Sequence, residues 1–261
     1  MAVRSGRLRR CGGVERLGGR TEDLTGEIMR TLAVLSRKGG TGKTTVALHM
    51  AVQAELSGRK TLVADLDPQR STGEWSRERA RFAQTPLVTE AKVGTLFTQR
   101  LSAARDGYDL MVIDTRPSTD LECAEAVRWA DLCLIVVRPC YFDLRAITRT
   151  VELVTNMNKQ GLFLINQAPS RRNGEEPKVI LDTFEALLEM GLPVAPVGLR
   201  YRAAYQNAVR EGRAAQELDE ESLAAYEVNA LWEHVNKAIW PTAVAAQPAE
   251  VASAGPMALV S

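Results

Sequence analysis

The sequence predicts a doubly wound α/β fold: a mostly parallel sheet with helices on both faces. Three observations carry that expectation. Apolar runs of strand length alternate with amphipathic stretches of helix length from Met29 to about Trp240, as strands and crossover helices do in parallel sheets. Runs such as Leu132–Val137 are almost continuously apolar, as strands are when helices cover both faces. The first run enters a glycine-rich turn and then a helical stretch, a junction that places a phosphate group at the carboxyl end of a strand.

Composition sets the bounds. The chain has 261 residues, 45% of them hydrophobic, enough for one full core. We divide it into a leader at 1–28, a domain at 29–240 and a tail at 241–261. The net charge is +1, and residues 1–28 carry six Arg against four Asp or Glu, so nucleic-acid binding would have to rest on a local patch. Cys11, Cys123, Cys133 and Cys140 show no C-x-x-C spacing. Cys123 and Cys133 sit in apolar surroundings that suit reduced, buried thiols. His49 and His234 are the only histidines, which argues against histidine catalysis or a zinc site. No apolar run reaches the length of about 18 residues that a membrane helix needs.

In chain order, the Gly- and Arg-rich leader lacks periodicity and is read as disordered or as a misassigned start. Expected strands are Thr31–Ser36, Thr61–Leu66, Leu87–Glu90, Asp109–Asp114, Leu132–Val137, Leu162–Asn166 and Val194–Gly198. Helical patterns include Asp143–Met157 and Val179–Met190. A final helix is expected over Glu221–Trp240, with Leu223, Tyr226, Leu231, Trp232, Val235 and Ile239 as its apolar stripe. Its charges, Glu221, Glu227, Glu233 and Lys237, are mostly acidic, so it suits packing on the core better than a membrane surface. The Ala/Pro/Val-rich tail is expected to be disordered.

The chemistry concentrates in Arg37-Lys38-Gly39-Gly40-Thr41-Gly42-Lys43-Thr44-Thr45. Glycines let the backbone curl so that its N–H groups converge, and the following helix adds a partial positive charge. Gly39, Gly40, Thr41, Gly42, Thr44 and Thr45 would thus cradle a polyphosphate. Lys43 would neutralise its outer phosphates, and the Thr44 hydroxyl would complete a Mg²⁺ shell. The usual loop has a glycine where this one has Arg37, and it carries a second lysine, Lys38. That departure resembles the deviant Walker A class of P-loop NTPases, the ParA/MinD family.

The resemblance implies further roles. Lys38 would reach across a two-fold axis to the partner subunit's ATP; a solvated loop lysine is the alternative. Thr61-Leu62-Val63-Ala64-Asp65-Leu66-Asp67-Pro68 is similar to the family's switch I, which makes Asp67 the orienter of the attacking water and gives Asp65 a water of the Mg²⁺ shell. The apolar strand ending at Asp114 has the Walker B form, with that acid on Mg²⁺ through water. In Arg116-Pro117-Ser118, Arg116 is either a surface residue or a switch II contact. Asn166 could match an adenine edge, as in the family, or simply form a turn.

The segments Leu199–Ala208, Glu211-Gly212-Arg213 and Glu217-Leu218-Asp219 resemble the carboxyl-terminal signature of short ParA partition ATPases, which lack the helix-turn-helix domain of larger relatives. The resemblance implies a cytoplasmic, nucleoid-associated homodimer that binds DNA nonspecifically, hydrolyses ATP and answers to a ParB-like adaptor. Arg171, Arg172, Lys178, Arg200, Arg202, Arg210 and Arg213 form the candidate DNA patch; because acids are interspersed, a plain solvated surface is the alternative. Three rivals remain: a ParA-like protein that positions a protein cluster or compartment, a MinD-like membrane regulator, and a small-substrate ligase of the same fold.

Overall fold

The computed structural model describes Met29–Pro241, apart from Pro68, Arg70 and 117–119. The expected leader and all but the first residue of the expected tail therefore lie outside the described residues, as does the middle of the segment after Asp114. The chain runs β1 (Arg30–Leu35), α1 (Lys43–Leu56), β2 (Thr61–Asp65), α2 (Ser71–Arg79) and β3 (Leu87–Glu90). It continues with α3 (Leu96–Arg105), β4 (Leu110–Asp114), α4 (Asp120–Trp129), β5 (Leu132–Val137) and α5 (Tyr141–Asn156). It closes with β6 (Gln160–Ile165), α6 (Lys178–Glu189), α7 (Ala203–Arg210), α8 (Ala215–Leu218) and α9 (Leu223–Ile239).

The sheet order is β3-β2-β4-β1-β5-β6, and every pairing between these strands is parallel. The doubly wound fold expected from the sequence is the fold observed. Period-two alternation sorts each strand between two cores. Leu132, Leu134 and Val136 face α1 and α9, where Val46, Met50, Val228 and Leu231 are buried. Cys133, Ile135 and Val137 face the other layer, with Ala126, Ile147 and Leu187. Both faces are covered, which is why β5 is apolar and buried along its whole length.

The direction of winding across the sheet reverses at β1, whose neighbours β4 and β5 lead to opposite edges. A crevice at the carboxyl ends of the strands follows from that switch. Register then gathers the acids: Asp114 is level with Val34 on one side and with Asp65 on the other.

Two expectations are corrected. Val194–Gly198 is not a strand of the sheet; it touches β6 only through an isolated bridge at Val194. Ala195 N–H bonds Phe163 O at 2.8 Å, but Pro193 and Pro196 have no N–H with which to extend the ladder. The final helix starts two residues late, because the Ser222 hydroxyl accepts from Ala225 N at 3.1 Å and fixes the N-cap there. Leu223 and Tyr226 of the expected stripe are exposed, whereas Glu227, counted among the helix's charges, is fully buried.

Candidate nucleotide-binding site

The turn between β1 and α1 is shaped by left-handed glycines, with φ of +75° at Gly40 and +87° at Gly42. A side chain at Gly42 would also collide with Asn166, since a Cβ there would lie 2.4 Å from Nδ2, so the position needs glycine twice over. Two amides from the end of β6 brace the turn from outside. Asn166 Nδ2 donates to Thr41 O at 2.6 Å, and Gln167 Nε2 donates to Gly40 O at 2.9 Å. Thr41 Oγ1 adds a longer bond to Lys38 O, at 3.4 Å. Gly39 is exposed at the tip, and Thr44 and Thr45 are half-buried in the first turn of α1.

Lys43 is buried, and its Nζ lies 3.4 Å from Lys38 O. Burial lowers its pKa, while Asp114 and Asp67 pull it back up, so cation and acids form one electrostatic unit. Asp114 is wholly buried, and its pKa is raised to about 7, chiefly by that burial; the Thr72 and Thr44 hydroxyls oppose the shift and Asp65 adds to it. Thr72 Oγ1 donates to Asp114 Oδ2 at 2.8 Å, and Asp114 Oδ1 has no hydrogen-bond partner. An orphaned, buried carboxylate oxygen beside Thr44 and Asp65 fits a hydrated divalent cation, which would supply the missing charge. Among the described residues no three His, Cys, Asp or Glu side chains are arranged to hold a metal by themselves. A cation here would therefore take the remainder of its shell from phosphate and water.

Asp67 is half-buried at the mouth. Its N–H bonds Asp65 Oδ1, and its own Oδ1 accepts from Gln69 N, both at 2.9 Å. These bonds tie the two acids together after β2, where Asp67 acts on Lys43 and Asp65 on Asp114 electrostatically. Lys38 is not gathered with them. Its Nζ sits 5.2 Å from the ring centroid of Phe142, an exposed side chain at the start of α5.

The profile of the CobQ/CobB/MinD/ParA nucleotide binding domain matches residues 32–215. The chain belongs to that family. The maintenance of carboxysome distribution protein A of Halothiobacillus neapolitanus is 32% identical over 212 residues, covering 78% of this chain and 95% of the relative. The chromosome partitioning protein ParA of Myxococcus xanthus is 29% identical over 185 residues, covering 55% and 64% of the two chains. Among solved structures, the ATP complex of McdA from Cyanothece superposes with a TM-score of 0.65 at 18% identity, covering 81% of this chain and 96% of that one. That last likeness speaks to the fold.

Several residues of this ParA/MinD-family site carry no local sequence signal. Thr72 reaches Asp114 from a different helix, and Gln167 has no motif beyond adjacency to Asn166. The candidate basic patch is largely dismantled. Arg200 is 2% exposed and bonds Glu176 at 2.8 Å, Arg171 bonds the same acid at 2.6 Å, and Arg202 bonds Glu227. Arg172, Lys178 and Arg210 stay exposed, with Lys178 ion-paired to Asp182. Arg116 pairs with Glu122 at 2.5 Å. Cys123 and Cys133 are buried, and burial pushes the Cys133 thiol up to about 12. Among the described residues no helix is long and apolar enough to cross a membrane.

Proposed function

We propose that this chain is a ParA-type ATPase whose ATP-bound sandwich dimer positions a cargo and is released by hydrolysis. The observation that carries this reading is the convergence, at one switch point, of the glycine-shaped helix N-terminus, Lys43 and the acids Asp65, Asp67 and Asp114. Gly39, Gly40, Thr41, Gly42, Thr44 and Thr45 cradle the phosphates, Lys43 offsets their charge, and Asn166 lies on the base side. Mg²⁺, held by Thr44 and through water by Asp65 and Asp114, would supply charge neutralisation on the transferring phosphoryl group. Asp67 orients the attacking water. Lys38, at the rim, acts on the partner subunit's nucleotide.

The cargo reading leans toward a protein-built body. The relative named for carboxysome distribution matches over 95% of its own length. The likeness to a chromosome partitioning ParA supports DNA partition with a ParB-like adaptor as the second reading. Both have the dimer reside on nonspecific DNA in the cytoplasm, through exposed arginines such as Arg172 and Arg210 and not through the buried Arg200.

Sedimentation with ATP, ADP or no nucleotide, alongside phosphate release, tests the common core. A dimer seen only with ATP, with slow turnover and salt-sensitive DNA association, is expected. A protein that stays monomeric with ATP and releases phosphate only with a small co-substrate would overturn the reading in favour of a ligase. Capture of the adaptor on ATP-locked protein separates the cargoes: a DNA-binding adaptor supports partition, and a component of a protein assembly supports positioning.

A further inference from the structure

The phosphate site does not account for Glu227. This acid of α9 is fully buried, and hydrogen bonds surround its carboxylate. Arg202 donates to Oε1 from Nε at 3.0 Å and from Nη2 at 2.6 Å. The Tyr205 hydroxyl donates to Oε2 at 2.6 Å, and Arg200 N–H donates to the same oxygen at 3.1 Å. Burying a carboxylate is costly, and an apolar side chain of similar volume often packs as well or better. An acid at this place therefore calls for a reason beyond packing.

Its partners supply one. Arg202 and Tyr205 line a small cavity together with Gly42, Thr45, Asn166 and Gln206. Gly42 and Thr45 belong to the phosphate turn and the first turn of α1, so the cavity opens where a nucleoside attached to those phosphates would lie. The same acid is tied to the phosphate helix by a second route. Tyr205 packs edge-on against His49 at 5.1 Å, and His49 Nδ1 bonds Thr45 O at 2.7 Å. One wall of the cavity and the phosphate turn thus share a buried anchor.

We propose that Glu227 is a positioning residue for the nucleotide base: it holds Arg202 and Tyr205 against the cavity so that the Arg202 guanidinium faces the purine. The inference rests on the nucleotide-binding reading above. Asn166 spends one of its two amide N–H groups on Thr41, which pins the amide and leaves its oxygen as an acceptor for an exocyclic amine, with the second N–H beside it. Donors from Arg202 and an acceptor from Asn166 match the ring nitrogens and amino group of adenine. Guanine would set a carbonyl oxygen against the Asn166 oxygen, so the arrangement selects ATP over GTP.

Calorimetry on the full chain with ATP, GTP and base-free tripolyphosphate tests this. Glu227→Gln keeps the shape and removes the charge that orders Arg202. It is expected to bind ATP about tenfold more weakly, with tripolyphosphate affinity unchanged within about twofold and a smaller preference for ATP over GTP. Arg202→Lys, at a side chain one-fifth exposed, is expected to shift the same ratio, because lysine cannot reproduce the planar fork. It carries the test should Glu227→Gln fail to fold. Equal weakening of ATP and tripolyphosphate in the variants would show that Glu227 serves the fold alone and overturn the proposal, as would an unchanged ATP-to-tripolyphosphate ratio. Wild-type protein that binds neither ligand would overturn the nucleotide reading, and this proposal with it.

Discussion

Lys38 and Lys43 are five residues apart in one loop, yet their surroundings predict different failures. Lys43 is buried among Asp114, Asp67 and the loop backbone. Lys43→Ala should therefore cost ATP affinity directly, by about tenfold or more, as loss of a charge-assisted phosphate contact does. Lys38 stands apart over Phe142. Lys38→Ala should leave monomer affinity within about twofold and abolish the ATP-dependent dimer; calorimetry and light scattering read the two separately, and equal loss of affinity would make Lys38 a residue of its own subunit's site. Asp67 has a third signature. Its backbone and side chain fix a turn and do not brace the phosphate loop, so Asp67→Ala should bind ATP and dimerise while hydrolysing at least about tenfold more slowly, roughly 1.4 kcal/mol in barrier. A wild-type rate of phosphate release would remove Asp67 from the chemistry. The gathering of Lys43 with Asp65, Asp67 and Asp114 was legible because strand ends and a glycine turn announce them within a few residues. Thr72 and Gln167 were not, because each meets the site only after the chain has returned from elsewhere.

Among the elements, α2 behaves as a clamp between the site and the last third of the chain. Its first turn gives Thr72 to Asp114, and its last residue, Arg79, is buried against Glu217 through bonds of 2.9 and 2.8 Å. Arg79 also donates to Gly212 O at 3.1 Å and Thr85 O at 2.5 Å. Gly212 has φ of +69°, and a Cβ there would lie 2.3 Å from Arg79 N. Glu217→Ala should cost about 3 kcal/mol, because it leaves a buried guanidinium without its anion. Gly212→Ala should cost at least as much, since backbone must move. Urea midpoints followed by fluorescence would show both, with Trp75 as a local probe because its Nε1–H bonds Arg213 O at 3.1 Å in the same junction. Midpoints equal to wild type would mean that α2 is held by its apolar face alone. None of this clamp was legible, since its ion pair joins residues 138 positions apart. The central strands were, because burial on both faces writes itself into an unbroken apolar run. Leu132–Val137 matches its expected bounds on that signal. The edge strand Leu87–Glu90 matches too, though it is only partly buried, whereas Val194–Gly198 fails on Pro193 and Pro196 and α9 begins two residues late at the Ser222 cap.

For the whole molecule, two buried titratable groups set opposing pH dependences. His49 lies wholly inside between α1 and α8; Nδ1 faces Thr45 O, and Nε2 accepts from Ala215 N at 3.1 Å. Burial lowers its pKa to about 4 from 6.5, against the pull of Thr45 and Glu217. The unfolded chain therefore takes up a proton that the folded one refuses, and stability falls as pH drops from about 6.5 to about 4. Asp114 runs the other way. Its folded pKa is raised to about 7 from 3.8, so the folded chain holds the extra proton between those values and stability falls as pH rises through that window. Over their overlap the two slopes cancel, and their joint contribution to the stability of the ligand-free protein should be nearly flat from about pH 4 to 6.5. Asp114→Asn should separate them. Above pH 7 the variant, freed of a buried charge, should exceed wild type by up to about 4 kcal/mol, and between about pH 6.5 and 4 it should lose up to about 3 kcal/mol as His49 alone resists protonation. His49→Gln should show the mirror image, losing its acid-side slope and keeping the decline toward neutral pH. Mg²⁺ with nucleotide should remove that decline from wild type, because a cation beside Asp114 favours its ionised form, and should leave Asp114→Asn little changed. Urea midpoints across pH for the three proteins decide the matter: parallel wild-type and Asp114→Asn profiles would mean that Asp114 is already ionised in the ligand-free fold, and that the charge the site asks of a metal is met by Lys43.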